Sequence, residues 1–339
     1  MKPRIQFVHH FIFLIIPFAT GIFTGCEKQP PQPPNILFAI ADDWGWPHAG
    51  VYGDPVVQTP AFDRVARDGI LFNHSYISAP SCTPSRNAIL TGQYHWRLGP
   101  GANLWSTLDT AIPVFPLLLE DAGYQIGHYR KSYGPGKLDN WEKHPVGTNY
   151  NDGGFEAFLA ERTGDAPFFF WLGSYDPHRP YDRGTGVASG MDPERIDLFE
   201  CFPDAPAVRS DVADYYYEVQ RFDTLVAGAI QLLAEIGELE NTIIVVTGDH
   251  GMPFPRCKAN NYDSGARVPL AVSWGSGIRN PGRVLDDFVS LSDLAPTFQE
   301  LAGVEIPEEM TAKSMTNLFK TTEDGFVDEE NRSYVLHGK

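Results

Sequence analysis

The chain has 339 residues, 42% of them hydrophobic and 13% aromatic, which is enough to build a large core and exceeds what a single small domain needs. Its 43 acidic residues against 26 lysines and arginines give a formal net charge of −17, which excludes nucleic acid and anionic membrane surfaces as partners held by bulk charge. A protein this acidic that handles an anionic substrate must assemble a local positive pocket, so basic residues beside any motif are informative.

Residues 1–26 have the pattern of an export signal: Lys2 and Arg4, an apolar stretch over 11–18, then Thr24 and Gly25 before Cys26. The apolar stretch is too short for a comfortable membrane span. Small residues leading to a cysteine match a bacterial lipoprotein cleavage site with Cys26 as the lipidated residue; Phe23 stands where such sites usually carry Leu, and a secreted soluble form is the alternative. Either way the expected location is outside the cytoplasm of a bacterium, periplasmic or at the cell surface, with the membrane reached only through a lipid anchor. Residues 27–34, with Pro30, Pro31, Pro33 and Pro34, then serve as a stiff tether, and 35–339 as the folded domain.

The run 35–40 is apolar throughout, as suits a central parallel strand covered on both faces. It ends at Asp42-Asp43, and ligands in open α/β sheets bind outside the carboxyl ends of strands. A helix is expected from Thr59-Pro60 to Asp68, with Phe62, Val65 and Ala66 on one face, and a strand over 70–77. Cys82 then precedes Pro84, a residue suited to a helix's first turn, with Arg86 one turn on and Gly92 at the end. A cysteine at a helix N-terminus meets unpaired N–H groups and the positive end of the helix dipole, and Arg86 adds a full charge. A buried structural cysteine is the plain alternative.

A helix over 114–121 and a strand over 124–129 lead into Arg130-Lys131-Ser132-Tyr133-Gly134-Pro135-Gly136. The apolar strand 167–173 leads into Asp176-Pro177-His178-Arg179. Residues 184–206 lack a period and read as a long surface loop. Ser210 is placed as the cap of a long helix carrying Val212, Tyr216, Val219, Phe222, Val226, Ile230 and Leu233 on its packing face. The strand 242–247 ends at Asp249-His250, followed by Lys258. The segment 264–270 is the start of another strand, a helix runs from about 291 to Leu301, and 332–339 reads as the start of a further strand. If Cys26 carries lipid and Cys82 is the reactive cysteine, Cys201 and Cys257 remain to pair or to stay free.

The string C-x-P-S-R-x-x-x-L-T-G at 82–92, with Asp42-Asp43 and Asp249-His250 each following an apolar strand, resembles the signature of the type I sulfatases. Gly-Asp-His-Gly-Met-Pro-Phe-Pro at 248–255 and Asp-Pro-His-Arg at 176–179 look most like the heparan N-sulfatase branch. The resemblance runs from about Pro34 to the last residue. It implies an α/β, alkaline phosphatase-like fold, a mixed and mostly parallel sheet flanked by helices; the family's small C-terminal antiparallel subdomain is expected to be truncated here.

The resemblance also implies that Cys82 is converted to 3-oxoalanine (formylglycine) by a formylglycine-generating or anaerobic sulfatase-maturating enzyme. In the family the hydrated aldehyde attacks sulfur, and its second hydroxyl later expels sulfate. Asp42, Asp43, Asp249, His250 and the modified Cys82 would bind Ca2+, with Mg2+ left open because an imidazole suits calcium less than an amide oxygen does. Arg86 would orient the nucleophile, Lys131 and Lys258 would face the sulfate, and His178 would protonate the leaving group. Two departures touch Lys131: Arg130 stands where the family usually has Gly, and no histidine follows, so Arg130 and Lys137 are alternative carriers of that role. The implied reaction is hydrolysis of a sulfate ester or sulfamate on a sulfated glycan. The alternatives are a phosphoester or phosphonate hydrolase of the same superfamily, and a non-catalytic, membrane-tethered glycan-binding protein.

Overall fold

The computed structural model describes residues 33–339 together with Met1 and Pro3. The segment expected to be an export signal, Cys26 as the expected lipidation site and most of the proline-rich stretch lie outside the described residues. The described residues form eight strands: β1 (Asn35–Ala41), β2 (Gly69–Tyr76), β3 (Gln125–Tyr129), β4 (Thr148–Asn149), β5 (Phe168–Gly173), β6 (Thr242–Gly248), β7 (Leu270–Ser273) and β8 (Arg283–Ser290). The α-helices are α1 (Pro60–Arg67), α2 (Cys82–Thr91), α3 (Phe115–Asp121), α4 (Gly154–Ala160), α5 (Thr185–Ala188), α6 (Pro206–Glu235), α7 (Asp263–Ala266), α8 (Leu294–Ala302), α9 (Thr316–Lys320) and α10 (Glu329–Arg332).

The strands form one sheet in the order β4-β3-β5-β1-β6-β7-β2-β8. Only β7 runs antiparallel to its neighbours. β1 sits in the middle, with Ile36 opposite Phe169 on one side and Ile243 on the other. Because side chains alternate along a strand, Ile36, Phe38 and Ile40 enter one core with residues of α2, α3, α8 and α9, while Leu37, Ala39 and Ala41 enter a second core with α1, α4 and α6. A strand covered on both faces has no polar side, hence the unbroken apolar run.

α1 starts at Pro60 as its sequence signals, but Thr59 does not cap it. The Asp223 carboxylate of α6 accepts the backbone N–H groups of Ala61 and Phe62 instead, and burial pushes that carboxyl up to about 6. A cap supplied by another helix leaves no local trace.

Four expectations are corrected. α6 begins at Pro206, which suits a first helical position because it lacks an N–H, so Ser210 lies inside the helix rather than capping it. The 184–206 segment contains α5 and a single 3-10 turn, Pro193–Arg195. Residues 263–266 form a helical turn and the strand begins only at Leu270. Residues 332–339 do not start a strand: Arg332 ends α10, where its guanidinium is buried against Asp293 (Nη1 to Oδ2, 2.8 Å). β8 carried no strand expectation; its charged Arg283, Asp286 and Asp287 interrupt the apolar pattern.

Candidate active site

The loops that leave β1, β3, β5 and β6 at their carboxyl ends carry Asp42 and Asp43, Lys131, His178, and Asp249, His250 and Lys258 respectively, and β2 delivers the chain to α2 and Cys82. The helix α2 is buried over its whole length. Its polar residues therefore need partners, and they find them in these loops. Thr83 donates to the Pro135 carbonyl, Ser85 to the Asp249 carbonyl at 2.6 Å, and Asn87 to the Gly101 carbonyl at 2.9 Å. Arg86 donates through Nε to Asp249 Oδ2 at 2.8 Å and through Nη1 to the carbonyls of Lys131 and Ser132, both at 3.1 Å.

Beside the first turn of α2, Asp42, Asp43, Cys82 and His250 are all buried, and one ligand-type atom from each lies within 4.8 Å of the others. His250 Nε2 is 3.1 Å from Asp43 Oδ1, 3.2 Å from Cys82 Sγ and 3.6 Å from Asp249 Oδ1. Its Nδ1 faces the Gly251 carbonyl at 3.0 Å. Three lone-pair-bearing atoms thus crowd one ring nitrogen, which carries at most one proton. Asp249 Oδ1 also accepts the Asp43 N–H at 2.9 Å.

Three cations answer the three carboxylates. Lys131 Nζ lies 2.5 Å from Asp42 Oδ2, and Lys258 Nζ lies 2.9 and 2.8 Å from the two oxygens of Asp43. Arg86 pairs with Asp249. Burial and the nearby Asp249 charge push the Asp42 carboxyl up, with Lys131 opposing. Burial acts to raise Asp249 as well, yet His250, Arg86 and Lys131 hold it far below the usual carboxylate range. Burial alone would lower His250; the Asp249 and Asp43 carboxylates outweigh it and push the imidazole up to about 10.

Of the residues weighed for the basic position after β3, the structure brings Lys131 to the cluster. Arg130 instead lays its guanidinium over the Tyr129 ring, 4.9 Å from the centroid. Its φ of 50° falls in the left-handed region, where a glycine is at ease. His178 lies on the loop after β5 at the same end of the sheet, but it is exposed, and its Nδ1 faces the Arg179 carbonyl at 2.6 Å rather than the cluster. Cys201 and Cys257 are free, the former exposed and the latter buried, with burial pushing the Cys257 thiol up to about 11.

Sequence reasoning missed two groups that hold the loops. Buried Tyr215 on α6 accepts the Gly45 N–H at 3.2 Å, beside the Asp42-Asp43 turn. Arg179 makes a two-pronged pair with Asp211 at 3.0 and 2.6 Å and donates to the Pro253 carbonyl at 3.1 Å, tying the β5 and β6 loops to α6. The signal for the first was the tyrosine run at 215–217 inside a packing helix; the second had none.

Fold and site together define an α/β protein with a buried carboxylate, imidazole and cysteine cluster at one sheet edge. The sulfatase family model matches residues 34–304, and the chain belongs to that family. N-sulphoglucosamine sulphohydrolase of Homo sapiens is 31% identical over 314 residues, covering 81% of this chain and 62% of the relative. An ulvan-active sulfatase of Formosa agariphila is 25% identical over 345 residues (89% and 57%), and N-acetylgalactosamine-6-sulfatase of Canis lupus familiaris 29% over 339 residues (82% and 64%). The chain spans about three fifths of the length of these curated relatives. The likeness in fold is equally clear: a protein solved in complex with its substrate D-glucosamine-2-N,6-O-disulfate superposes with a TM-score of 0.70 at 21% identity, over 87% of this chain and 82% of that one. Phosphonate monoester hydrolase of Agrobacterium radiobacter superposes at 0.71 with 16% identity, over 86% and 78%. The fold is the alkaline phosphatase-like one.

Proposed function

We propose that this chain carries the catalytic machinery of a sulfatase that hydrolyses a sulfate ester or sulfamate on a sulfated glycan. The observation that carries the reading is the packing of Cys82 against Asp42 and His250, inside a shell of Arg86, Lys131 and Lys258. Such a shell offsets the charge of a sulfuryl group, and preorganised donors of this kind are worth on the order of a hundredfold in rate each.

The donor set fits a divalent cation. The lone pairs of Asp43, Cys82 and Asp249 converge on His250 Nε2, which carries at most one proton, and Asp42 lies in the same cluster, so a hard cation held by Asp42, Asp43, Asp249, His250 and the residue at 82 would relieve the crowding; Ca2+ and Mg2+ both suit oxygen-rich sites. Such an ion would supply charge stabilisation to an oxygen nucleophile. Oxidation of Cys82 to formylglycine by a maturation enzyme would supply that nucleophile as a hydrated aldehyde, with a second hydroxyl for release of sulfate.

The chain's own residues do the rest. Arg86 Nη2 is buried, has no hydrogen-bond partner among the described residues and lies 3.8 Å from Asp42 Oδ1, leaving a donor for the nucleophile's oxygen. Asp249, held ionised, accepts its proton. Lys131 and Lys258 steer the sulfuryl oxygens. In His178 the ring nitrogen Nδ1 is engaged by the Arg179 carbonyl, which leaves Nε2 for the leaving group. An exported lipoprotein anchored at Cys26 accords with an extracellular polymeric substrate.

Mass spectrometry of the peptide containing residue 82, with sulfate release measured on N-sulfated and O-sulfated glucosamine and on phosphate esters, tests the reading. An aldehyde at 82 and sulfate release are expected. An unmodified thiol in protein co-expressed with a maturation enzyme, or turnover of phosphate esters alone, overturns it.

A further inference from the structure

Backbone strain collects around the site. Six non-glycine residues among those described adopt a left-handed φ: Asp43 (77°), Trp105 (61°), Arg130 (50°), Arg256 (64°), Ala259 (65°) and Asn280 (51°). All but Asn280 belong to the loops at the carboxyl edge of the sheet. Such a conformation is unfavourable for an ordinary residue, and the surrounding contacts must hold it. For Asp43 the return is a place in the buried cluster. Trp105 gains no burial: its side chain is 68% exposed.

The Trp105 loop is nonetheless fastened to the site. The Trp105 N–H donates to the Pro135 carbonyl at 3.2 Å, and the hydroxyl of Thr83, the residue after Cys82, donates to the same oxygen. Lys137 N–H donates to the Ser106 carbonyl at 2.9 Å, and Thr107 Oγ1 to the Lys137 carbonyl at 3.0 Å. The Trp105 turn and the loop bearing Lys131 are thereby one unit, set beside the first turn of α2. A second exposed aromatic, Tyr175 at 56%, precedes Asp176, whose carbonyl accepts the Asp42 N–H at 3.0 Å. Among the described residues neither ring stacks on another aromatic ring or on a guanidinium.

We propose that Trp105 and Tyr175 are specificity-determining residues whose rings take the C–H faces of the substrate's pyranose rings at the rim of the sulfate-binding cluster. The inference rests on the sulfated-glycan reading above and adds to it the groups that recognise the sugar. Arg86, Lys131 and Lys258 read only the anion. A pyranose presents an apolar C–H face with hydroxyls at its edge, and the negative face of an indole or phenol ring complements the one while leaving the other to water. The strain at Trp105 then holds the indole outward, where a sugar can reach it.

The test compares wild type, Trp105→Ala, Trp105→Phe and Tyr175→Ala in the matured protein, with N-sulfoglucosamine, glucosamine 6-O-sulfate and 4-nitrophenyl sulfate as probes. Trp105→Ala is expected to raise KM for the sulfated sugars about tenfold or more with kcat within about threefold, Trp105→Phe to keep most of the affinity, and Tyr175→Ala to give a smaller rise in KM. Sulfated sugar should quench tryptophan fluorescence in the wild type and not in Trp105→Phe. A wild type that turns over the sugars, with KM and quenching unchanged in both Trp105 variants, overturns this inference alone. A wild type active on 4-nitrophenyl sulfate but on neither sugar overturns the glycan reading and the inference with it.

Discussion

Arg86 on α2 and Asp249 after β6 form an ion pair, Nε to Oδ2 at 2.8 Å, in which neither side chain has any solvent exposure. Two charges so far from water are held at a desolvation cost, and the two Nη1 hydrogens go to the carbonyls of Lys131 and Ser132. The pair therefore serves position: with the Nη1 contacts it locks α2 to the loops after β6 and β3.

Removing one partner of such a pair leaves the other charge buried and unpaired. Arg86→Met is expected to lower the unfolding free energy of the metal-free protein by about 3–5 kcal/mol, and Arg86→Met with Asp249→Asn to recover part of the loss. Urea unfolding of wild type, both single variants and the double variant reads this as a cycle. Additive losses would show that the two side chains do not interact.

Metal binding is expected to release close to one proton at pH 7.5. His250 is raised to about 10 in the cluster, so it is protonated there, whereas a metal-ligating imidazole must be neutral. The sign follows: its contribution to the stability of the metal-free protein is full below the unfolded value of about 6.5 and is lost as pH rises through about 10, while affinity for the ion climbs over the same window. Calorimetric titration with Ca2+ or Mg2+ in two buffers of different ionisation enthalpy measures the proton. Identical apparent enthalpies would refute the exchange, and a chelator should lower both thermal midpoint and sulfate release.

His178→Ala is expected to slow release of poor alkoxide or amine leaving groups by about a hundredfold while affecting 4-nitrophenyl sulfate far less, since a good leaving group needs no proton. Rates across a series of leaving groups check this. An equal loss on all of them would assign the exposed histidine to binding rather than to acid catalysis.

His128 on β3 stacks on His144 with ring centroids 4.2 Å apart. Burial, and for His128 the neighbouring imidazole, lowers them to about 3 and about 4. Both folded values lie below the unfolded one, so the stability they allow is present above about pH 6.5 and falls as the pH drops toward 4, by up to about 1.4 kcal/mol per pH unit for each ring. Urea midpoints from pH 7 to 4.5 should show this slope, and His144→Leu should flatten it. Equal slopes in the two proteins would rule the pair out as its cause.

Much of the site was legible because its residues follow strands whose apolar runs announce themselves. Asp42-Asp43 and Asp249-His250 were found that way, Cys82 from the helix-start signals and the string around it, and the structure brings them together. Arg130 was flagged as standing in place of a glycine, and its left-handed φ gives the physical reason a glycine suits that position. What stayed hidden were partners supplied from a distance: Asp223 as the cap of α1, Tyr215 beneath the Asp42-Asp43 turn, and the Arg179 pair with Asp211. The strand expected over 332–339 failed for a related reason, since the buried contact of Arg332 with Asp293 holds that segment and no periodicity records it.

By itself the sequence determined the strands β1, β3, β5 and β6, the helices α1, α2 and α8, and which reactive side chains sit just beyond those strands, because propensity, turn chemistry and apolar periodicity act over a few neighbouring residues. Which carboxylate meets which cation was decided only by the tertiary structure. Asp42 meets Lys131 across 89 positions, Asp249 meets Arg86 across 163, and Asp43 meets Lys258 across 215. Those pairings depend on strand order and on how α2 packs against the sheet, where the cost of burying an unpaired charge selects among arrangements that look alike along the chain.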